Sequence, residues 1–179
     1  MSRTFVFQQR AIVALADRCY RRVSELRIRR MKPNPPRLRL DTYPHRTEIS
    51  LRFSDIDPQW HLNNVRVGEY YQEGRVAFFR HLHRDYGYQR TPGSRTLVVH
   101  QAFDYLAEVT YPGTMTIGAG ITRVGNSSWT FGLGAFKDGV CVGLSKSVLV
   151  YALEAGAAPI PQDYRDLLER FLLPLDCRE

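Results

Sequence analysis

Three periodicities follow one another along the chain. Ile12, Ala16, Cys19, Val23 and Leu26 recur every three or four residues, which places them on one helix face, with Arg18, Arg21, Arg22 and Arg29 largely off it. Lys32-Pro33-Asn34-Pro35-Pro36 must end that helix, because proline lacks an amide donor and drives the residue before it out of the helical region. From His45 the period becomes two: Ile49, Leu51 and Phe53 alternate with Glu48, Ser50 and Arg52, as in a strand with one buried face. After a polar loop at 55–61, Val67, Tyr70, Tyr71, Gly74, Phe78 and Leu82 keep helical spacing and predict one long helix over 64–86, with Gly74 a breaker inside it.

Gly87 and Pro92-Gly93 then mark a loop. The segments from Leu97 onward are β-rich and are separated by Tyr111-Pro112-Gly113, Gly125-Asn126 and Lys137-Asp138-Gly139, which predicts four further strands. Asp138-Gly139 is a favoured hairpin pair and Gly125-Asn126 a weaker one, so the last three strands should form an antiparallel meander. A short amphipathic helix closes the pattern over 161–173. The expected division is a helical arm with a Pro-rich linker over 1–44 and, over 45–179, an α+β domain in which an antiparallel sheet wraps around one long helix.

Composition narrows this. With 179 residues, 44% hydrophobic and 24% charged, the chain has the make-up of one folded domain with an appendage, not of a fibrous or disordered protein. Its best apolar run, 11–16, stops at Asp17, too short to cross a bilayer. Residues 1–45 hold 11 Lys+Arg against 3 Asp+Glu, while 46–179 hold 14 against 15, so the whole excess of the +7 net charge sits in the arm. Such an arm either presents a solvated face or meets phosphate. An anionic membrane surface fits it better than nucleic acid, since one helix before a proline break lacks the second helix of a helix-turn-helix. Cys19, Cys141 and Cys177 are odd in number, without CxxC spacing or a nearby His pair, so neither a disulfide framework nor a metal site is expected and a reducing cytoplasm fits.

The junction between first strand and long helix carries the chemistry. It reads Arg52-Phe53-Ser54-Asp55-Ile56-Asp57-Pro58-Gln59-Trp60-His61-Leu62-Asn63-Asn64 and leads into Glu69-Tyr70-Tyr71-Gln72-Glu73-Gly74-Arg75. This DxDxxxHxNN order ahead of an aromatic helix with an acidic turn resembles the hotdog-fold thioesterases of the 4-hydroxybenzoyl-CoA thioesterase-like group, which also includes plant acyl-carrier thioesterases. The likeness runs over about 45–153 and leaves out the arm. It implies a hotdog fold, hydrolysis of an acyl-CoA or acyl-carrier protein thioester without metal or other cofactor, and a homodimer or larger homo-oligomer joined through a sheet edge with active sites at the interface. It implies too that the second aspartate, Asp57, supplies the carboxylate, and that His61 and Asn63 match active-site or loop-ordering positions. Gln59 stands where the plant branch has Asn. Another hotdog branch draws its carboxylate from the central helix, which makes Glu73, then Glu69, the alternatives.

The residues themselves support the same chemistry. Thioester cleavage needs an activated oxygen nucleophile and stabilisation of the oxyanion that forms. Asp57, just ahead of a helix N-terminus, is favoured as a carboxylate by the helix dipole, and could attack the thioester carbon or deprotonate a water. Free amides of the first helical turn, around Asn64, would point at the substrate carbonyl. Asp and Asn before a helix are also what capping alone selects, Tyr70, Tyr71, Phe78 and Phe79 suit a core as well as an acyl pocket, and His81, His83 and His100 read as structural. Two further functions are weighed. The DxNPxH loop of hotdog enoyl-CoA hydratases differs here, since His61 lies six residues after Asp55 instead of five and Asp57 replaces the Asn. A non-catalytic acyl-CoA-binding regulator would pair the ligand domain with the basic arm.

Overall fold

The computed structural model describes residues 35–174, and the helix expected in the arm lies outside them. The elements are β1 (His45–Ser50), α1 (Asn64–Tyr86), β2 (Arg95–Tyr105), β3 (Thr114–Val124), β4 (Ser128–Lys137), β5 (Val140–Leu153), β6 (Gly156–Ala157) and α2 (Gln162–Glu169). All pairings are antiparallel, in the order β1-β3-β4-β5-β2, with β6 added to the end of β5. The expected meander is β3-β4-β5, and its Asp138-Gly139 turn has positive φ at both residues, +52° and +79°. Register shifts at Val98/His100, Ile121/Arg123 and Ala135/Phe136 mark bulges, which sharpen the twist and let the sheet curl around α1. This is a hotdog fold.

The limits of α1 follow from its caps. The Asn63 side chain accepts the Val65 N–H at 2.9 Å, and Gly87, at φ +64°, closes the far end by donating to the Leu82 carbonyl. Tyr70, Tyr71, Gly74, Phe78 and Leu82 are buried as the spacing predicts. Phe78 meets Phe131 and Phe171 edge-on, with ring centroids 5.0 Å apart in both pairs. Gly74 is a contact point and not a weakness: a Cβ there would lie 2.4 Å from Ile117 Cγ2 on β3, so only glycine lets the helix settle this close to the sheet.

Residues 35–44, expected in the linker, pack on the opposite face of the sheet. Gly118 pairs with Gly134 and Gly120 with Gly132 across β3 and β4, forming a flat floor. Tyr43 lies on the first pair and Leu173 on the second, where Cβ atoms would come within 2.3–3.0 Å of them. Tyr43 donates to the Arg37 carbonyl at 2.9 Å, and buried Arg37 donates to the Ser145 carbonyl at 2.9 Å. The compact unit holding the sheet accordingly starts at Asn34.

Two outcomes follow. Gly74→Ala should destabilise the protein despite gaining about 1 kcal/mol of helix propensity, because overpacking against Ile117 costs roughly 1–3 kcal/mol; urea unfolding should show a lower midpoint. The second concerns His45, half-buried on β1, stacked on His81 at 4.8 Å and edge-on to Phe78. Burial, then the charges of His81 and Arg84, pull its pKa down to about 4. The folded state therefore favours the neutral ring, so stability should be full above about pH 6.5, the unfolded histidine value, and fall as pH drops toward 4. Melting curves between pH 7 and 4 should show that loss, and His45→Phe should flatten it.

Candidate active site

β1 runs out at Ser50, and the chain turns through a 3-10 turn, Phe53–Asp55, before closing a small loop. Ile56 and Leu62 bridge at its neck, while the Asp57 N–H donates to the His61 carbonyl and the Trp60 N–H to the Asp57 carbonyl, both at 2.9 Å. The turn forces Trp60 to φ +66°, a conformation that costs a non-glycine residue about 1–2 kcal/mol. Trp60 is 71% exposed. The Leu62 N–H donates to the Val109 carbonyl at 2.7 Å and His61 bridges Thr110, which ties the loop to the segment between β2 and β3.

The two motif aspartates have opposite environments. Asp55 is only 3% exposed, and its Oδ2 accepts from Tyr70 Oη at 2.7 Å and Arg52 Nε at 2.8 Å. Burial opposes its ionisation, but the hydrogen bonds from Arg52 and Tyr70 outweigh that and hold it below the ordinary carboxylate value. Its carbonyl accepts the Asn63 N–H at 2.9 Å, so Asp55 anchors the start of α1 through backbone and side chain together. Asp57 is half-buried, and its Oδ1 accepts from Gln59 N at 2.8 Å and His61 N at 3.4 Å, an arrangement that orients the carboxylate within the turn.

The remaining expected residues fall as follows. Half-buried His61 places Nε2 3.1 Å from Glu108 Oε2, a partner 47 positions away that no local pattern in the sequence marks. Asn63 caps α1, and the Asn64 carbonyl accepts from Tyr105 Oη at 3.1 Å. Glu69 is bound to Arg52 at 3.0 Å and to Arg66. Exposed Glu73 lies nine residues beyond Asn64, about 14 Å along the helix at 1.5 Å per residue, away from the loop. Exposed Phe53 and Tyr111 meet edge-on at 5.7 Å, which makes the rim beside the loop aromatic. Phe78 belongs to the core, and among the described residues no group of three His, Cys, Asp or Glu is placed to hold a metal ion.

With a curled sheet, a long central helix and a carboxylate loop at the helix start, residues 51–171 match the thioesterase-like superfamily. The chain belongs to that family. Among solved structures it resembles the PA5185 protein of Pseudomonas aeruginosa, at 30% identity and TM-score 0.65 over 76% of this chain and 96% of that one. A predicted thioesterase of Bacillus stearothermophilus is 29% identical, with TM-score 0.63 over 72% of this chain and 97% of that one. A thioesterase of Thermus thermophilus, solved with coenzyme A and zinc, shares the fold at 24% identity and TM-score 0.61, over 69% of this chain and 96% of that one. The uncharacterized protein YsmA of Bacillus subtilis is 34% identical over 83 residues, 46% of this chain and 54% of YsmA, so the match spans about half of that relative's length. Membership of this superfamily supports thioester hydrolysis as the reaction class.

Asp55→Ala should leave the Tyr70 hydroxyl and the Arg52 guanidinium without their shared acceptor. Bonds to a charged group are worth roughly 1.5–3 kcal/mol, so a loss of about 2–3 kcal/mol in urea unfolding is expected, and a stability equal to wild type would contradict the anchoring role.

Proposed function

We propose that the protein hydrolyses an acyl-CoA or acyl-carrier protein thioester, with Asp57 as the reacting carboxylate. The observation that carries this reading is the asymmetry of the motif: Asp55 is buried with its Oδ2 held by both Arg52 and Tyr70, whereas Asp57 stands half-buried in the loop with only Oδ1 taken, by backbone amides. Asp57 Oδ2 adds to the thioester carbon directly, or takes a proton from a water that adds instead. Either way the carbonyl oxygen gains negative charge and needs donors. At the start of α1, the Asn63 N–H is taken by the Asp55 carbonyl, the Val65 N–H by the Asn63 side chain and the Val67 N–H by the Asn63 carbonyl. The Asn64 and Arg66 amides are the two of the first turn left to meet that oxygen, at the positive end of the helix dipole. A donor of this kind is worth about 3 kcal/mol of barrier. Collapse expels the thiolate: in the general-base route it takes back the proton that Asp57 removed from the water. In the anhydride route one water then hydrolyses the mixed anhydride, releasing the acid and regenerating the Asp57 carboxylate, and the proton that water gives up neutralises the thiolate.

His61 beside Asp57, with Glu108 on its Nε2, acts as a positioning residue that keeps the loop closed and its ring oriented. Coenzyme A in the Thermus thermophilus relative favours a CoA-type substrate here. The second copy expected from the sequence would dock on β2, a sheet-edge strand that leaves Leu97, Val98, Val99 and Tyr105 exposed. A reducing cytoplasm suits the free Cys141 thiol.

The test is a hydrolysis screen over acyl-CoA chain length and aromatic acyl groups, with free thiol as readout. Asp57→Asn keeps size and removes charge, and its kcat should fall at least about a hundredfold, the scale of losing a positioned base, with melting temperature little changed. Near-wild-type turnover in Asp57→Asn together with a dead Glu73→Gln would move the catalyst to the helix. Tight acyl-CoA binding without turnover across the screen would favour the regulator.

A further inference from the structure

One buried charge plays no part in this mechanism. Arg75, in the middle of α1, is only 6% exposed, and its Nη1 donates to Ser147 Oγ on β5 at 3.1 Å. Among the described residues no carboxylate pairs with it, and burial is the sole influence on its pKa, which it pulls down. A guanidinium carries five N–H donors in a planar fork and is costly to bury without an anion. Its neighbours are also under-used. Tyr71, one helical turn earlier, is 1% exposed and Ser145, two residues from Ser147 on the same strand face, is 2% exposed; neither Tyr71 Oη nor Ser145 Oγ has a hydrogen-bond partner. Tyr71 Oη lies 2.9 Å from where a Cβ at Gly143 would stand, the next position along that face. Buried polar atoms of this kind are rare in folded proteins unless something else satisfies them.

These groups lie side by side where α1 faces β5 and β2. On β2, Phe103 is opposite Ser145 and stacks on Tyr71 at 5.5 Å, while exposed Gln101 is opposite Ser147. Toward the helix start, the same side of α1 presents Gly68, where a Cβ would touch Phe103, and then Asn64, whose carbonyl accepts from the Tyr105 hydroxyl. The seam between α1 and β2 therefore leads from the proposed oxyanion donors, past Phe103 and Tyr71, to Arg75 and the hydroxyls beside it.

We propose that Arg75, Ser147, Tyr71 and Ser145 form a carboxylate-binding subsite that receives the far end of the acyl group, so that the substrates are monothioesters of dicarboxylic acids. This rests on the thioesterase reading. A carboxylate matches the guanidinium fork in two parallel bonds and offers lone pairs to the hydroxyls beside it. Arg75 is eleven residues beyond Asn64, about 16 Å along the axis at 1.5 Å per residue, and its side chain leans back toward the helix start. Malonyl or succinyl groups are too short to bridge that span, and a medium-length chain fits it.

The experiment compares suberyl-CoA, the eight-carbon diacid monothioester, with octanoyl-CoA, which has the same length without the second carboxylate. Wild type should favour suberyl-CoA at least tenfold in kcat/KM, and Arg75→Met should lower that ratio at least tenfold. Free suberate should raise the melting temperature of wild type and not of the variant. If Arg75→Met does not fold, Tyr71→Phe with Ser147→Ala carries the test, with a smaller drop in the ratio expected. A wild-type ratio near one, with no stabilisation by suberate, overturns the subsite while leaving octanoyl-CoA hydrolysis and the thioesterase reading intact. Arg75-dependent stabilisation by suberate without hydrolysis of either thioester keeps the subsite and rejects the thioesterase reading. Dissociation of a dimer by Arg75→Met, with suberate inert, would assign the counter-charge to a second copy and overturn the proposal.

Discussion

Everything around the motif loop depends on one buried carboxylate. Asp55 cannot stay ionised away from water unless donors surround it, and the donors come from two directions: Arg52 at the end of the first strand and Tyr70 two turns into α1. The Tyr70 hydroxyl also accepts the Arg52 N–H at 3.3 Å, so strand end, turn and helix are joined at one point. Once they are joined, the direction in which α1 leaves the loop is set, and so is the position of its first amides relative to residues 57–61. The strained Trp60 backbone is tolerable because the loop is bridged at its neck and bonded to the Val109 carbonyl beyond it.

The second constraint is closeness. A helix laid on a curled sheet must approach it tightly at the middle, and Gly74 against Ile117 is where that happens. The outer face repeats the solution with four glycines in register, on which Tyr43 and Leu173 rest. Arg37 then reaches backbone carbonyls of two strands, Leu133 and Ser145. Segments from both ends of the described chain thereby close the sheet from behind, and the aromatic core around Phe78 and Phe131 is held from both sides.

What the sequence reveals tracks how local the cause is. The limits of α1 are readable because the period, the Asn63 cap and Gly87 all lie within it, and the hairpins are readable from their turn residues. The role of 35–44 is not: three prolines and two arginines within 33–39 look like a linker, and the reason they pack lies in glycines about 80–100 positions away. The motif resemblance singles out Asp57 over Asp55 but gives no physical reason for it. Their different environments come from Tyr70, fifteen residues beyond Asp55, whose hydroxyl points at one carboxylate and not the other. Glu108 opposite His61 is invisible for the same reason, because only the register of β2 and the loop that follows brings them within 3.1 Å.

The distribution of paired charge around the loop bears directly on the reaction proposed. A carboxylate that must attack carbon or take a proton is weakened by a close cation, which lowers its basicity along with its pKa. Two arginines flank the loop in the sequence, Arg52 before it and Arg66 after it. Arg52 is bound by Asp55 and Glu69, and Arg66 is bound by Glu69 as well, so two carboxylates, one from the motif and one from the acidic turn, pair both cations. Among the described residues, the hydrogen bonds to the Asp57 carboxylate come from two backbone amides, which orient its Oδ1 without a full opposing charge. In this light Glu69 has a purpose that its place on the helix does not suggest: it keeps Arg52 and Arg66 occupied, and in the reaction proposed the acidity of the early helix serves Asp57 by remaining outside the chemistry.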